Sequence, residues 1–349
     1  MRPLPVHNPP NPFQGQEVEY LLEDGVEAPT QGFQLYQDTS KTILSKNQSP
    51  DVGMRWSVNP YRGCYHGCAY CYARPSHQYL GFGAGSDFER RVVFKPRASD
   101  LLRAAFEAKS WRGEAVLFSG NTDCYQPIEA SLRLTQACLR VCGEYRNPFH
   151  IITKAPLIER DIELLVDLAK ETPCGVTISV PFWDPTVARC IEPGAATPQR
   201  RIRTIRRLAE AGLDVSVNVA PLIPGLADRD LVRILEACRA AGARRAGMIL
   251  VRLPAEVKQV FVERLEQALP ERVGKVLGRI REARGGQLND SRFGARMRGE
   301  GHYAEMIWNL FRSTCARLGF EQGIEDPMTE ATTTFRRPTD PGGQLRLFV

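Results

Sequence analysis

Short apolar runs alternate with longer amphipathic stretches along most of the chain. From about Trp56 onward, five runs have the length and composition of buried strands: 116–120, 150–154, 176–180, 215–220 and 246–251. Between them, apolar residues recur at helical spacing, which predicts helices over 99–108, 132–145, 161–170, 198–211 and 228–241. With a further strand near 56–60, the pattern predicts six strands, each followed by a helix.

Strands that alternate with helices run parallel, because each helix returns the chain to the same edge of the sheet. Six such units are fewer than the eight of a closed barrel. We therefore expect an α/β fold, a partial (β/α)6 TIM-like barrel. In such a fold the loops that carry chemistry converge at the carboxyl ends of the strands.

Composition divides the chain into four segments. Residues 1–50 are rich in Pro, Gln, Gly and Ser, lack periodicity, and predict an extended N-terminal arm. The partial barrel is expected over 51–270, followed by a basic loop and a closing helix over 271–325. A Pro/Gly stretch then predicts a flexible C-terminal tail over 326–349.

The overall composition is that of a globular protein. The chain has 349 residues, of which 43% are apolar, enough for a substantial core. No stretch approaches the roughly 18 uninterrupted apolar residues of a spanning helix, and the first residues contain no apolar signal segment. We therefore expect a cytoplasmic protein without membrane contact. Its ten cysteines then indicate reduced thiols or metal ligands, and a net charge of +6 permits a polyanionic partner without requiring one.

Three of the cysteines lie within eight residues, directly after the first predicted strand. The segment NPYRGCYHGCAYCYARP, residues 59–75, contains Cys64, Cys68 and Cys71. Thiolates suit zinc, copper(I) or iron–sulfur clusters, but a structural zinc site needs a fourth protein ligand. His66, two residues from each of two cysteines, would be strained in that role. Three cysteines on a four-iron cluster instead leave one iron open for a small molecule.

The cysteine spacing is that of a known superfamily. CYHGCAYC resembles the CxxxCxφC signature of the radical S-adenosylmethionine (SAM) superfamily, with Tyr70 at the φ position. This resemblance implies a [4Fe-4S] cluster on the three cysteines, with SAM bound to the open iron through its amino and carboxylate groups. It also implies reductive cleavage of SAM to a 5′-deoxyadenosyl radical, and a reductant such as flavodoxin or ferredoxin.

From about Thr42 to Leu318 the chain resembles a narrower group, the DNA-repair-photolyase-like radical SAM proteins related to spore photoproduct lyase. SGNTDCYQPIE resembles that group's Ser/Thr-Asp loop, which implies that Thr122 and Asp123 hold the SAM amino group. HIITKAP resembles its third-strand lysine, which implies that Lys154 meets the SAM carboxylate. An aspartate after a strand is also a common helix cap, and a lone lysine is commonly solvated.

Two further matches follow along the chain. TISVPFWDP places Ser179 at the end of the fourth strand, where the resemblance implies a bond to the ribose of SAM. IEPGAATPQRRIRTI resembles the group's E-P element, which implies an ion pair between Glu192 and Arg201 beside the cofactor. Four other arginines surround Arg201 in the sequence, so a solvated helix face is the alternative for this residue.

One position departs from spore photoproduct lyase. The lyase carries a hydrogen-donating cysteine two residues ahead of its Ser-Asp pair, and this chain has Gly120 there. We therefore do not transfer thymine-dimer reversal to this protein. The substrate, the bond that is broken and the hydrogen donor stay open.

Residues 271–300 carry eight Lys or Arg against four Asp or Glu. Arginines interleaved with glycines and Phe293 suit a phosphate-binding groove, because guanidinium groups bind phosphate and aromatic faces stack on bases. A basic solvated surface is the alternative. We favour a nucleic-acid substrate with a damaged or modified base. A radical SAM enzyme for a peptide or small metabolite, and a non-catalytic iron–sulfur protein associated with DNA, are the other interpretations.

The chain ends in QLRLFV behind the Pro/Gly stretch. Residues 344–348 resemble the QLxLF peptide by which bacterial repair and replication proteins dock on the DNA polymerase sliding clamp. The resemblance implies anchoring through Gln344, Leu345, Leu347 and Phe348, whereas Arg346 departs from the usual middle residue. The alternative is that the tail folds back onto its own barrel.

Overall fold

The computed structural model describes residues 32–321 and 333–338. Over these residues the strands are β1 (Gln34–Gln37), β2 (Leu44–Lys46), β3 (Trp56–Val58), β4 (Tyr61–Arg62), β5 (Arg91–Phe94), β6 (Val116–Phe118), β7 (Phe149–Thr153), β8 (Cys174–Ser179), β9 (Val215–Leu222) and β10 (Arg245–Leu250). The α-helices are α1 (Ser86–Arg90), α2 (Ala98–Glu107), α3 (Glu129–Leu132), α4 (Leu134–Glu144), α5 (Ile162–Ala169), α6 (Pro185–Ile191), α7 (Pro198–Glu210), α8 (Leu231–Ala240), α9 (Val257–Ala268), α10 (Val273–Glu282), α11 (Ala295–Arg298) and α12 (His302–Leu318). Short 3-10 helices cover Arg74–Leu80, Pro156–Asp161, Asp228–Asp230 and Pro270–Arg272.

The main sheet is the predicted partial barrel. Its strands lie side by side in the order β3, β6, β7, β8, β9 and β10, and all five pairings between them are parallel. Each of the predicted strands and helices is present, with ends that agree to within three residues. Strand β2, from the arm, pairs antiparallel with β3 and extends the open edge.

A second, smaller sheet was not predicted. Its order is β1-β5-β4, with β4 antiparallel and β1 parallel to the central β5. Strand β4 follows β3 after two residues but leaves the barrel sheet, so the chain turns away just before the first cysteine. The small sheet therefore supports the cysteine loop from outside the barrel.

Apolar and polar side chains alternate along the strands, and this alternation distinguishes the helix-covered face of the barrel from its interior. In β9, Val215, Val217 and Val219 belong to the same apolar core as Ile205 and Leu208 of α7. Successive side chains of a strand point to opposite faces, so Ser216 and Asn218 face the interior. The same alternation in β8 directs Thr177 and Ser179 inward. The interior of the barrel is thus lined by polar groups toward its carboxyl end.

The remaining segments complete the barrel. The basic segment is helical over α10 and consists of turns and irregular structure from 283 to 294. Helix α12 is the predicted closing helix. The clamp-like peptide, residues 344–348, lies outside the described residues. None of the helices over 32–321 has both the length and the apolar character needed to cross a membrane.

Candidate active site

The three cysteines lie in one loop between β4 and the 3-10 helix that starts at Arg74. Cys64 and Cys68 are buried, and Cys71 is half-buried. Two turns shape the loop: the amide of Gly67 donates to the Cys64 carbonyl and the amide of Cys71 to the Cys68 carbonyl, each at 3.2 Å. The first barrel strand, β3, ends at Val58, six residues before Cys64, so the loop follows the carboxyl end of that strand, as the sequence predicted.

Arg74 stabilises the backbone of this loop and was not predicted from the sequence. Its side chain is 1% exposed and donates to the carbonyl oxygens of Cys68 (2.9 Å) and Gly67 (2.8 Å). It also donates to the carbonyls of Ala84 and Gly85 at 3.0 and 2.8 Å. A fully buried guanidinium needs this many acceptors, because an unpaired one would be costly. An arginine three residues after the last cysteine was the available signal.

The environment of the cysteine thiols suits an iron–sulfur cluster. Burial raises the pKa of all three thiols, and the Asp123 carboxylate further raises that of Cys64. Lys154 opposes this effect at both Cys68 and Cys71, and Arg74 opposes it at Cys71. The three sulfurs therefore lie in a dry pocket flanked by cations, where bound iron would stabilise their thiolate forms.

No three His, Cys, Asp or Glu side chains over residues 32–321 and 333–338 converge closely enough to hold a single metal ion. A four-iron cluster does not require such convergence, because each of its irons takes its own thiolate.

The loop after β6 connects the barrel to the cysteine loop through Asp123. Oδ1 accepts hydrogen bonds from the Thr153 hydroxyl (2.6 Å) and the Tyr125 amide (3.0 Å). Oδ2 accepts from the Lys154 amide (2.8 Å) and lies 3.3 Å from Nδ1 of His66. Burial alone would raise the pKa of Asp123, but His66 and these donors together lower it. Asp123 therefore links three loops of the site, and contact with the SAM amino group stays a prediction.

Two neighbouring residues of that loop hydrogen-bond to β4 and to the start of the cysteine loop. The Thr122 hydroxyl donates to the Tyr61 carbonyl at 3.0 Å, so this side chain joins β4 to the loop after β6. Gln126, fully buried, accepts from the Tyr65 amide at 3.0 Å and donates to the Gly63 carbonyl at 3.1 Å. Sequence reasoning missed Gln126, because a buried amide leaves no periodic signal.

The E-P element packs directly on the cysteine loop. The Tyr70 hydroxyl donates to the Glu192 carboxylate, which also forms an ion pair with Arg201. The Gly194 amide donates to the His66 carbonyl at 3.0 Å. A Cβ on Gly194 would collide with the carbonyl oxygen of Tyr65, so a side chain there would push the two loops apart. Arg201 is thus buried beside the cysteine loop and does not belong to a solvated helix face.

Ser179 and Lys154 approach the same region from the barrel. The Ser179 carbonyl accepts a hydrogen bond from Arg201 at 3.0 Å, and its side chain faces the interior beside Asn218, its partner across the strands. The Asn218 Oδ1 atom is buried without a hydrogen-bond partner in the described part of the chain. The Lys154 ammonium lies 5.9 Å from the centroid of the Tyr70 ring. An orphaned acceptor and an ammonium group beside the cysteines fit a polar, charged cofactor such as SAM.

Gly120, where the lyase has a cysteine, is crowded. A Cβ at this position would lie 2.6 Å from Cβ of Ser57 on β3, so a larger residue requires Ser57 to move. The Gly120 carbonyl accepts a hydrogen bond from the Tyr72 hydroxyl at 2.6 Å. Tyr72, the residue after Cys71, is 54% exposed. An aromatic hydroxyl therefore lies at the mouth of the barrel beside the cysteine loop.

Comparison with known proteins identifies the family to which this fold and site belong. Residues 58–238 match the model of the radical SAM superfamily. An uncharacterized protein of Mycobacterium tuberculosis is 36% identical over 247 residues, which are 70% of this chain and 73% of that protein. The radical SAM Nalpha-GlyT isomerase of Pseudomonas phage M6 is 26% identical over 70% of this chain and 49% of its own length.

Solved structures agree in fold. Spore photoproduct lyase complexed with dinucleoside spore photoproduct superposes with a TM-score of 0.59 at 16% identity, over 81% of this chain and 79% of the lyase. A variant of the lyase with bound AdoMet superposes with a TM-score of 0.60 at 14% identity, over 85% of each chain. The chain belongs to the radical SAM superfamily, whose members are enzymes. Within it, the fold is that of spore photoproduct lyase, as the resemblance predicted.

Proposed function

We propose that this protein cleaves SAM reductively at a [4Fe-4S] cluster held by Cys64, Cys68 and Cys71, and acts on a damaged or modified nucleic-acid base. The observation that carries the proposal is the buried three-cysteine loop at the carboxyl edge of a radical SAM partial barrel. When bound, the cluster supplies one electron to SAM, and the 5′-deoxyadenosyl radical that results abstracts hydrogen from the substrate. A reductant such as flavodoxin or ferredoxin would provide that electron.

The residues of the chain would bind and orient SAM. The Lys154 ammonium pairs with its carboxylate, and Thr122 and Asp123 provide oxygen atoms near its amino group. Ser179 would bind the ribose hydroxyls together with its strand neighbour Asn218, whose buried Oδ1 has no hydrogen-bond partner among the described residues. Tyr70 and the Arg201–Glu192 pair hold the cysteine loop against the E-P element, which excludes water from the pocket.

The choice of a nucleic-acid substrate rests on the relatives and on one surface. The lyase of similar fold is complexed with a dinucleoside photoproduct, and the phage relative is named for a Nalpha-GlyT substrate. Phe293 is 62% exposed, with the Arg296 guanidinium 4.5 Å from its ring centroid. An exposed aromatic face beside arginine suits a base and its phosphate. The residue at position 120 argues against thymine-dimer reversal by the route of the lyase.

The test is SAM cleavage by the reconstituted protein. Anaerobic protein loaded with iron and sulfide, and reduced with dithionite, should release 5′-deoxyadenosine from SAM. Cys68→Ala should abolish both the iron–sulfur colour and the cleavage, whereas Cys315→Ala, on the closing helix, should retain both. Colour without cleavage would instead indicate a structural cluster. Filter binding of single- and double-stranded DNA across a salt series tests the substrate class, because phosphate binding weakens steeply with salt.

The sliding clamp is the proposed protein partner, through Gln344, Leu345, Leu347 and Phe348. The last described residues of the chain, 333–338, pack on the barrel: Phe335 stacks on Tyr145 with 6.2 Å between ring centroids, and the Arg336 amide donates to the Tyr145 carbonyl at 2.9 Å. Tyr145 precedes β7 and so lies at the amino ends of the strands, opposite the cysteine loop. Deleting residues 344–349 should abolish clamp binding and leave SAM cleavage intact. Undiminished pull-down of the clamp by the truncated chain would contradict this.

A further inference from the structure

An arginine that forms no ion pair with any other described residue lies at the mouth of the barrel. Arg252 follows the last barrel strand, β10, by two residues, at the edge where the cysteine loop also lies. Its side chain is half-buried, and the hydrogen bond it makes within the described residues goes to the sulfur of Met297 at 3.6 Å. A thioether is a weak acceptor, so within residues 32–321 and 333–338 the charge of this guanidinium is compensated only at a distance, by the Asp51 carboxylate.

A second guanidinium lies behind the first. Arg284 is 4% exposed and donates to the carbonyls of Val251 (3.1 Å from Nε) and Arg296 (3.0 Å from Nη2). Its Nη1 is buried without a hydrogen-bond partner in the part of the chain that the structure describes. Burial, partly offset by Asp290 but reinforced by Arg252, lowers the pKa of Arg284 to about 10. The two guanidinium groups repel each other where they are partly shielded from water, which is unfavourable unless an anion binds between them.

The nearby carboxylates are already engaged. Asp51 pairs with Arg296 and accepts a hydrogen bond from the Gly294 amide at 2.7 Å. Asp290 pairs with Arg292 at 2.7 Å. Neither carboxylate forms a hydrogen bond or ion pair with Arg252 in the described structure. Within the part of the chain that the structure describes, the Arg252 guanidinium therefore remains available to the anion of a ligand.

The surroundings indicate which anion. Burial and repulsion from Arg296 lower the pKa of Arg252, while Tyr72 and Asp51 act in the opposite direction, so Arg252 lies near both the cysteine-loop side of the mouth and the arm. The exposed ring of Phe293 stands beside Arg296 at the same rim. A guanidinium next to an exposed aromatic ring is the combination that binds a nucleotide strand, with phosphate on the cation and a base on the ring.

We propose that Arg252, with Nη1 of Arg284 behind it, forms a subsite for one backbone phosphate of the nucleic-acid substrate. The proposal rests on the proposed function and adds how the strand is positioned. A phosphate held at the end of β10 would place the adjoining nucleotide over the mouth, next to Tyr72 and the cysteine loop. Sequence reasoning placed the basic groove in 271–300 and did not include Arg252.

The experiment pairs a protein variant with a ligand variant. The probe is a fluorescein-labelled single-stranded DNA octanucleotide, in which each phosphate in turn is replaced by an uncharged methylphosphonate. For the wild-type chain, one such replacement should weaken binding about ten-fold or more, the range of a hydrogen bond to a charged group. Arg252→Gln should show the same loss with the all-phosphate strand, and the sensitive methylphosphonate should then cause little further loss.

The controls distinguish a wrong phosphate subsite from a wrong substrate class. Arg252→Gln should reduce the salt dependence of binding by about one phosphate contact, and Arg203→Gln on the exposed face of α7 should leave affinity unchanged. If Arg252→Gln binds as tightly as wild type, the subsite is wrong and the nucleic-acid substrate survives. If wild-type protein does not bind the octanucleotide, the substrate class itself is wrong. Because the methylphosphonate series uses the wild-type chain, misfolding of the variant cannot mask the result.

Discussion

Arg201 and Glu192 form an ion pair in which the two side chains are 1% and 0% exposed. The pair joins helix α7 to the E-P element, and the Tyr70 hydroxyl bonds the same carboxylate from the cysteine loop. Burial raises the pKa of Glu192, and Arg201 and His66 oppose this effect. The buried Glu192 carboxylate therefore depends on Arg201 to remain charged.

Arg201→Met should destabilise the apo protein by about 3–5 kcal/mol, because it leaves the Glu192 carboxylate buried without its cation. The measurement is the free energy of unfolding from urea denaturation. Arg203→Met, on the exposed face of the same helix, is the matched control and should change this free energy by less than about 0.5 kcal/mol. Equal effects of the two substitutions would show that the pair does not stabilise the loop.

Gly194→Ala should reduce iron binding. The added Cβ would collide with the Tyr65 carbonyl, and relief requires the E-P element to move away from the cysteine loop. We expect less iron and sulfide per chain after anaerobic reconstitution, with weaker charge-transfer absorbance. Gly278→Ala, in α10 with open space around the added Cβ, should keep full iron content and gain about 0.5–1 kcal/mol of stability. Full iron content in Gly194→Ala would contradict the close contact of the two loops.

His150 should make stability depend on pH. Burial, reinforced by Arg245, lowers the pKa of this imidazole from 6.5 to about 4, while one ring nitrogen pairs with the Thr177 hydroxyl at 2.8 Å. The folded state thus holds His150 neutral, so its contribution is complete above pH 6.5 and is lost as pH falls toward 4. Between pH 7 and pH 4 the loss should be about 3 kcal/mol.

The matched variant for this effect is His150→Gln, which retains a polar group for Thr177 but does not titrate. Urea unfolding at pH 7 and pH 4 should show a fall in unfolding free energy that is about 3 kcal/mol smaller in the variant than in the wild-type protein. Parallel pH profiles for the two proteins would mean that the imidazole is not held neutral in the folded state.

The barrel was predictable because its signals are local. Strands such as β6 are continuous apolar runs, and their helices carry a single buried stripe, so period and length suffice. Periodicity also held information that sequence reasoning did not use: Arg201 shares its helical face with the buried Thr204, Ile205 and Leu208. The cysteine loop was found from its spacing.

The supports of that loop were not predictable in the same way. Arg74 contacts backbone carbonyls, and Gln126 reaches residues more than 60 positions earlier in the chain. Such contacts depend on where the loops meet and leave no pattern in the sequence. The small sheet β1-β5-β4 was missed for a related reason, because each of its strands has only two to four residues.

A four-iron cluster held by three cysteines leaves one iron free to bind SAM. The most direct measurement is electron paramagnetic resonance of the dithionite-reduced, reconstituted protein, with and without SAM, at about four irons per chain. We expect a reduced-cluster signal whose g-values and line shape change when SAM is added, and a loss of the signal in Cys68→Ala. A signal that SAM leaves unaltered, or a protein that binds one zinc ion in place of iron, would contradict it.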